Sequence, residues 1–372
     1  MKDFKFETAL TNGHKVGDWR PGRTPPGHDD YKSRGIFLCL YLTGKSGKRY
    51  HSQRAFGDAA SDKSTIYMFG QVRDGDRENW PDDVFPDHRY KWLHEPFTCE
   101  ERDDRITWST ASCPKIQVHD KGWDWVDAGG GWDLRAVPLG DKGYYFSVPA
   151  QEGFDIPHFH WGQCYWAEGT VDGDPVRGYG YLERAWASGG PEVPFVRLPL
   201  VRNMNKLWMH FYAGFEDGGY ITGCARKGRL GVAWSMAYVV NDGVAKVITP
   251  TATDIAYGDD GLVKHVRLNT GEQILEFEHD AALYHPIHTV GKMISVTNRH
   301  GKEIKDRGKI VESWTVTEWW PDNAPDLLDY VADQRAKGVG RVELYEKVRI
   351  VGEYMLFPEY RMPAPHHCSE VI

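Results

Sequence analysis

Cysteine is scarce in this 372-residue sequence and never paired as CxxC. The six (Cys39, Cys99, Cys113, Cys164, Cys224, Cys368) are scattered along the chain, which argues against a zinc ribbon or a disulfide framework and for free thiols in a reducing, cytoplasmic setting. No run of five or more basic residues occurs and the formal net charge is −8, which disfavours a nucleic-acid partner held through phosphates. No apolar run approaches the roughly 18 residues a membrane helix needs. The opening MKDFKFETALTNGHK has no apolar core of a secretory signal, so none is expected. No GxSxG elbow, HExxH pair or P-loop is present. DAGGGWD (127–133) lacks the strand and helix that a dinucleotide loop requires.

What the chain has instead is aromatic residues and turn formers. Fifteen Trp, 19 Tyr and 15 Phe accompany 40 Gly and 21 Pro, with 41% apolar residues overall. Aromatics favour strands, and Gly and Pro punctuate turns, so the composition predicts an all-β protein with aromatic-lined interiors. The length suits two ordinary domains or one large one.

Short apolar or alternating runs recur throughout. Residues 35–56 read as a hairpin turning at Gly44–Gly47, and 64–72 as a further strand. Residues 73–104, charged and proline-rich, read as a long excursion. RITWST, KIQVHD and WDLRAVPL read as short strands, as does GYYFSVPA (143–150). Residues 163–186 predict a hairpin turning at Asp172–Pro175, 206–228 one turning at Asp217–Gly219, and 230–248 one turning at Asn241–Gly243. Further strands follow in HVRLNTGEQILEFEHD, KMISVTNR and IVESWTVTEWW. One helix is expected over 325–337, with Gly338 at its C-terminal end. GYGYLERAW from Gly178 and GVGRVELYE from Gly338 echo each other, placing Glu183 and Glu343 in equivalent slots of two related halves.

The stretch RGYGYLERAWASGG (177–190) carries the chemistry. On a strand, Tyr179, Tyr181 and Glu183 share one face while Leu182, Arg184 and Trp186 share the other. A carboxyl beside two phenols is either the proton donor of a site, if that face looks into a barrel interior, or a hydrogen-bonded structural corner on an edge strand. In KLWMHFYAGFEDGG, Trp208, His210 and Tyr212 alternate onto one face, a core ladder or a pocket wall. In DIPHFHWGQCYW, His158 and His160 would point the same way, beside Trp161. That spacing suits two metal ligands, with His285 or His288 as a third, or else pocket-lining residues or a solvated loop. No metal is assigned.

Three of these segments resemble the hydroxyneurosporene synthase (carotenoid 1,2-hydratase)/AttH-like family. GYYFSVPA is similar to that family's YYYSxPR strand. The hairpin GTVDGDPVRGYGYLERAWA is similar to its G-x-x-W-x-D-H-x-W-G segment. Gly178 matches the glycine, Tyr181 stands for the first Trp, Glu183 for Asp, Arg184 for His and Trp186 for the last Trp. LWMHFYAGFEDGG resembles the later W-x-W/H-F-x-x-x-L-x-D-G segment. The likeness spans residues 140 to 225. It implies two lipocalin-like antiparallel β-barrel domains packed side by side (1–190 and 191–372), with one or two short helices and an apolar cavity near their junction. It also implies hydration of isolated double bonds in carotenoids or prenylated phenolics, or, in fungal relatives, pericyclic cyclisation. Arg184 in place of histidine and Glu183 in place of aspartate are departures that bear on any mechanism needing that histidine.

These observations together lead to the expectation of a cofactor-free hydratase or lyase acting on a hydrophobic terpenoid or aromatic substrate. Glu183 would give the proton, with Tyr181, His210 and His160 as catalytic partners. Arg184, Trp186, Trp208, Tyr212, His158, Trp161 and Tyr179 would line the substrate site. The alternatives are a non-catalytic binder of apolar ligands, a cyclase working by substrate folding, and a metal-dependent oxygenase built on His158 and His160. No nucleic-acid partner and no integral membrane segment are expected, and a homodimer is left open.

Overall fold

The structure is a computed structural model that describes residues 5–56, 64–72, 91–110, 115–127, 131–151, 157–188, 205–228, 233–248, 252–257, 263–269, 274–278, 284–285, 294–298, 300–301 and 310–319. Within these the chain is all-β, every strand pairing is antiparallel, and one 3-10 helix, Val16–Trp19, is the single helical element. The helix expected over 325–337 and the echo around Glu343 lie outside the described residues. Among the described residues no helix is long and apolar enough to cross a membrane.

The first twelve strands form one sheet: β1 (Glu7–Asn12), β2 (Lys32–Gly44), β3 (Arg49–Phe56), β4 (Ser64–Val72), β5 (Lys91–Arg102), β6 (Arg105–Thr110), β7 (Lys115–His119), β8 (Gly122–Asp127), β9 (Trp132–Pro138), β10 (Lys142–Val148), β11 (His158–Val171) and β12 (Asp174–Ala187). Its order is β1-β10-β11-β12-β2-β3-β4-β5-β6-β7-β8-β9, and β9 then returns to pair with β11. Ten strands, β2 to β9 with β11 and β12, therefore make an unbroken cycle of pairings. β11 is long enough to serve two partners, β10 along His158–Gly162 and β9 along Tyr165–Val171.

Four hairpin strands come next: β13 (Asn205–Phe215), β14 (Tyr220–Gly228), β15 (Ala233–Asn241) and β16 (Val244–Ile248). They are followed by β17 (Ala252–Tyr257), β18 (Val263–Asn269), β19 (Ile274–Glu278), β20 (Tyr284–His285), β21 (Ile294–Asn298), β22 (His300–Gly301) and β23 (Ile310–Trp319). These make a seven-stranded sheet, β16-β15-β14-β13-β23-β21-β20, and a four-stranded one, β17-β18-β19-β22.

Turn chemistry sets the hairpins. Asp172-Gly173 joins β11 to β12 and Asp242-Gly243 joins β15 to β16, with φ of 51° and 80° in the first pair and 48° and 76° in the second. Positive φ at both central residues makes the turn whose twist matches the flanking strands. The stretch read as an excursion over 73–104 contains β5. Pro96, which argues against a strand, sits where β5 changes partner, β4 along Lys91–Pro96 and β6 along Phe97–Arg102, so no ladder on the β6 side needs its missing N–H. β12 is not an edge strand: it lies between β11 and β2.

The alternation of side chains across β2, β11 and β12 divides the core in two. One face buries Leu38, Leu40, Leu42, Trp161, Tyr165, Leu182 and Trp186 among Trp19, Trp108, Trp123 and Trp125. The opposite face buries Cys39, Tyr41, Cys164, Tyr179 and Tyr181 with Tyr144 of β10 and with Tyr238, Val240 and Trp314 of the seven-stranded sheet. The first core is dominated by aliphatic side chains and indoles. The second, where the two sheets meet, is largely phenolic. Strands covered on both sides lose the apolar-in, polar-out pattern, and β12 is buried almost without interruption from Gly178 onwards.

Candidate active site

Glu183 stands on the phenolic face, not on the face enclosed by the first sheet's own indoles. It is 4% exposed, and its Oε1 is a point of convergence. The Tyr144 hydroxyl donates to it at 3.0 Å. Nε2 of His160 lies 3.0 Å away and Nε2 of His210 3.1 Å away. These three groups come from β10, β11 and β13, so both large sheets contribute to the cluster.

Register explains how they meet. Tyr144, Gly162 and Glu183 are direct cross-strand neighbours on β10, β11 and β12. Gly162 has no side chain, so the Tyr144 ring crosses it to reach the carboxylate. A Cβ on Gly162 would stand 2.5 Å from both Cζ and the hydroxyl oxygen of Tyr144, well inside the roughly 3.5–4.0 Å of a normal carbon contact. The other two glycines of this region serve backbone packing. A Cβ on Gly178 would lie 2.1 Å from the carbonyl oxygen of Tyr41, and one on Gly180 would lie 2.9 Å from that of Cys39.

Each imidazole is clamped by an aromatic ring. His210 stacks on Tyr181 with centroids 4.0 Å apart, and His160 stacks on Phe146 at 4.8 Å. His158 lies on the same side of β11, 5.9 Å from His160 and also stacked on Phe146, with centroids 5.7 Å apart. The pair is thus part of a regular strand rather than a loop. Among the described residues no set of three His, Cys, Asp or Glu side chains is arranged to hold a metal ion.

Beside this cluster runs a second polar chain. The Tyr179 hydroxyl is 3.0 Å from Cys164 Sγ and 3.0 Å from Thr222 Oγ1, and Thr222 donates to the Phe211 carbonyl at 2.8 Å. Tyr179 also stacks on Tyr212, with centroids 5.6 Å apart. Burial pushes the Tyr144 hydroxyl well above the ordinary phenol range, and the neighbouring charge of Glu183 adds to that. Burial raises Tyr179 and Tyr238 in the same way, takes Tyr212 up to about 12 and takes the Cys164 thiol up to about 11. These phenols stay protonated at neutral pH, so they act as donors and as neutral π-faces.

The residues named from sequence therefore divide. Glu183, His160 and His210 converge on one atom, with Tyr181, Tyr179, Tyr212 and His158 around them. Arg184, Trp186 and Trp161 lie on the opposite face of the same strands, which is where the alternation along β12 puts a residue adjacent to Glu183. Arg184 is fully buried there, donating to the carbonyls of Arg20 at 2.7 Å and Asp18 at 3.2 Å, with its guanidinium 5.0 Å from the Trp186 ring centroid. Burial lowers it to about 9, with Arg23 adding to the shift and Asp18 opposing it. Trp208 lies in β13, but its side chain falls outside the described residues. Tyr144 was not singled out from sequence. The signal that could have found it is the glycine at 162 in the next strand, legible only once the register is known.

A groove of about 780 Å³ opens between the two sheets, lined among others by Lys45, Glu168, Arg177, Glu312 and Trp314. Trp314, one of its lining residues, also belongs to the phenolic core.

No family model and no curated protein matches the chain. Similar solved structures include an AttH-type protein from Nitrosomonas europaea, with 13% identity over 79% of this chain and 94% of its own and a TM-score of 0.42. CghA, solved with Sch210972, is 12% identical over 78% of this chain and 90% of its own, with a TM-score of 0.41. Kievitone hydratase from Nectria haematococca is 9% identical over 78% and 89%, with a TM-score of 0.38. The first is named for the family whose motifs the sequence resembles. At these scores the likeness carries no argument about chemistry, which rests on the cluster itself.

Proposed function

We propose that the chain is a cofactor-free hydratase or lyase that protonates a carbon–carbon double bond of a hydrophobic terpenoid or prenylated aromatic substrate. The observation that carries this reading is the single buried carboxylate oxygen met by two clamped imidazoles and one phenol in a phenol-lined interior. Protonating an alkene needs an acid held in a place that excludes bulk water and tolerates positive charge. Glu183 supplies the proton to one alkene carbon, and the π-electrons of the double bond form the new C–H bond. The faces of Tyr181 and Tyr179 accept the cation left on the other carbon. A water molecule then attacks that carbon, one imidazole takes its surplus proton, and the Nε2–Oε1 contact returns that proton to Glu183. The balance is one water added per double bond, and run backwards the same steps dehydrate an alcohol. Tyr144 holds the carboxyl in place.

The test uses a panel of terpenoid alkenes and prenylated phenols in D2O, followed by mass spectrometry. A hydratase fixes one non-exchangeable deuterium on carbon. Glu183→Gln should lower that turnover by about 10²–10⁴-fold, with substrate quenching of tryptophan fluorescence nearly unchanged. Full turnover in Glu183→Gln removes the carboxyl from the mechanism. Quenching without deuterium incorporation in the unmodified protein makes it a binder.

A further inference from the structure

Glu183 Oε1 limits where a reacting water can stand. Nε2 of His160 lies 3.0 Å from this oxygen and Nε2 of His210 lies 3.1 Å from it. His160 is carried by β11 and His210 by β13, yet both approach the same atom. Neither ring has room to swing away. His160 is stacked on Phe146 with centroids 4.8 Å apart and His210 on Tyr181 at 4.0 Å, and the two imidazoles are 0% and 3% exposed. Whichever of them is the base, the atom that takes a proton from water stands one hydrogen-bond length from the atom that gives a proton to carbon.

Reach then decides the stereochemistry. An oxygen poised to protonate an alkene carbon stands about 3–3.5 Å from it, and an attacking water stands about as far from the neighbouring carbon. That water must also lie about 2.6–3.2 Å from its base. If water attacked the face opposite Glu183, the two oxygens would be about 6–7 Å apart, one above and one below the plane of the double bond. A base within 3.1 Å of Oε1 bridges such a gap only by lying on the straight line between the two oxygens, where the double bond itself sits. If water stands on the same face as Glu183, Oε1, Nε2 and the water oxygen close a compact triangle of ordinary hydrogen-bond lengths. The two alkene carbons then lie beneath its two oxygen corners.

Resting on the reading of Glu183 as the acid, we infer that the chain adds water in the syn sense: the hydrogen from Oε1 and the hydroxyl from water enter the same face of the double bond. The alkene π-pair forms the C–H bond, and a water lone pair forms the C–O bond on the adjacent carbon. The surplus water proton passes to Nε2, and the Nε2–Oε1 contact restores the acid. The reverse reaction is a syn elimination of water.

The test runs the unmodified full chain in D2O on a terpenoid alkene whose trisubstituted double bond lies within a ring. A prenyl substrate carrying 13C in one of its two terminal methyls is run beside it. NMR of each alcohol reads the relative configuration of the new C–D and C–O bonds. Same-face product should exceed opposite-face product about 10²-fold or more, because the opposite-face route forgoes base catalysis. His160→Gln and His210→Gln identify the base: the variant that lacks it should lose most of that excess along with turnover. An excess of opposite-face product or an even mixture from the unmodified chain overturns the inference, as does a full same-face excess in both variants. Each of these leaves the loss of turnover in Glu183→Gln as it stands. Absence of carbon-bound deuterium from every substrate instead fails the hydratase reading, and the syn course with it.

Discussion

Replacing Gly162 by alanine adds one methyl group in the middle of a strand, where backbone preference alone would favour alanine by about 0.5–1 kcal/mol. The structure predicts the opposite sign. The new Cβ would stand 2.5 Å from Cζ and from the hydroxyl oxygen of Tyr144, and that ring is fully buried, with the Tyr238 ring packed near it at 6.5 Å between centroids. The ring must give way by about an ångström to restore a normal contact, which pulls its hydroxyl off the 3.0 Å bond to Glu183 Oε1. Losing a hydrogen bond to a carboxylate costs about 1.5–3 kcal/mol and overpacking a filled core about 1–3 kcal/mol. After the backbone gain, the net loss is about 2–5 kcal/mol. Tyr144→Phe removes the hydroxyl without adding bulk and isolates the first of these costs. In the double variant no hydroxyl remains to be displaced, so the two effects should fall short of additivity by about 1.5–3 kcal/mol. Urea denaturation followed by circular dichroism and tryptophan fluorescence, with coincident transitions, measures all four corners of the cycle. A neutral or stabilising Gly162→Ala, or energies that add within about 0.3–0.5 kcal/mol, would show that Tyr144 does not reach Glu183 across this glycine.

Further expectations follow from burial. Tyr144, Tyr165, Tyr179 and Tyr238 are held well above the ordinary phenol range by burial. Because the folded state keeps them protonated, their contribution to stability is complete below about pH 10 and is lost as pH rises above it. Four such groups give a slope of about 5 kcal/mol per pH unit, so phenolate absorbance at 295 nm should rise together with loss of structure; smooth titration near pH 10 with the fold intact would contradict this. Arg184→Lys cannot serve the carbonyls of Asp18 and Arg20 together with Ser33 Oγ at 3.3 Å. It should cost about 2–4 kcal/mol in denaturation while leaving turnover per folded molecule unchanged; normal stability with lost turnover would place Arg184 in the chemistry instead.

Hairpins were legible in the sequence because their turns are chemically explicit. Asp172-Gly173, Asp217-Gly218-Gly219 and Asn241-Asp242-Gly243 each lie where a turn was expected, and the flanking apolar runs are strands. β8 was missed because GWDWVD is short and follows β7 through a tight turn, and β5 was missed because its charges and Pro96 imitate a loop. The faces of β12 were readable from its period of two. What stood against each face was not, because cross-strand neighbours depend on register, and register depends on pairings far apart in sequence. Hence Arg184, adjacent to Glu183 in the chain, was assigned to the same site, while Tyr144, 39 positions earlier and bonded to the same carboxylate, was overlooked.

β12 carries unlike cargo on its two sides, an acid facing one neighbour and a guanidinium facing the other. Point substitutions can therefore change either side while sparing its opposite. Loss or gain of a single residue between Gly178 and Trp186 cannot be so confined, since a shift of one position exchanges the two sides at a stroke. It would thrust the carboxylate among indoles and the cation among phenols. Lineages descended from this chain should accordingly vary in letter along this strand, but not in length.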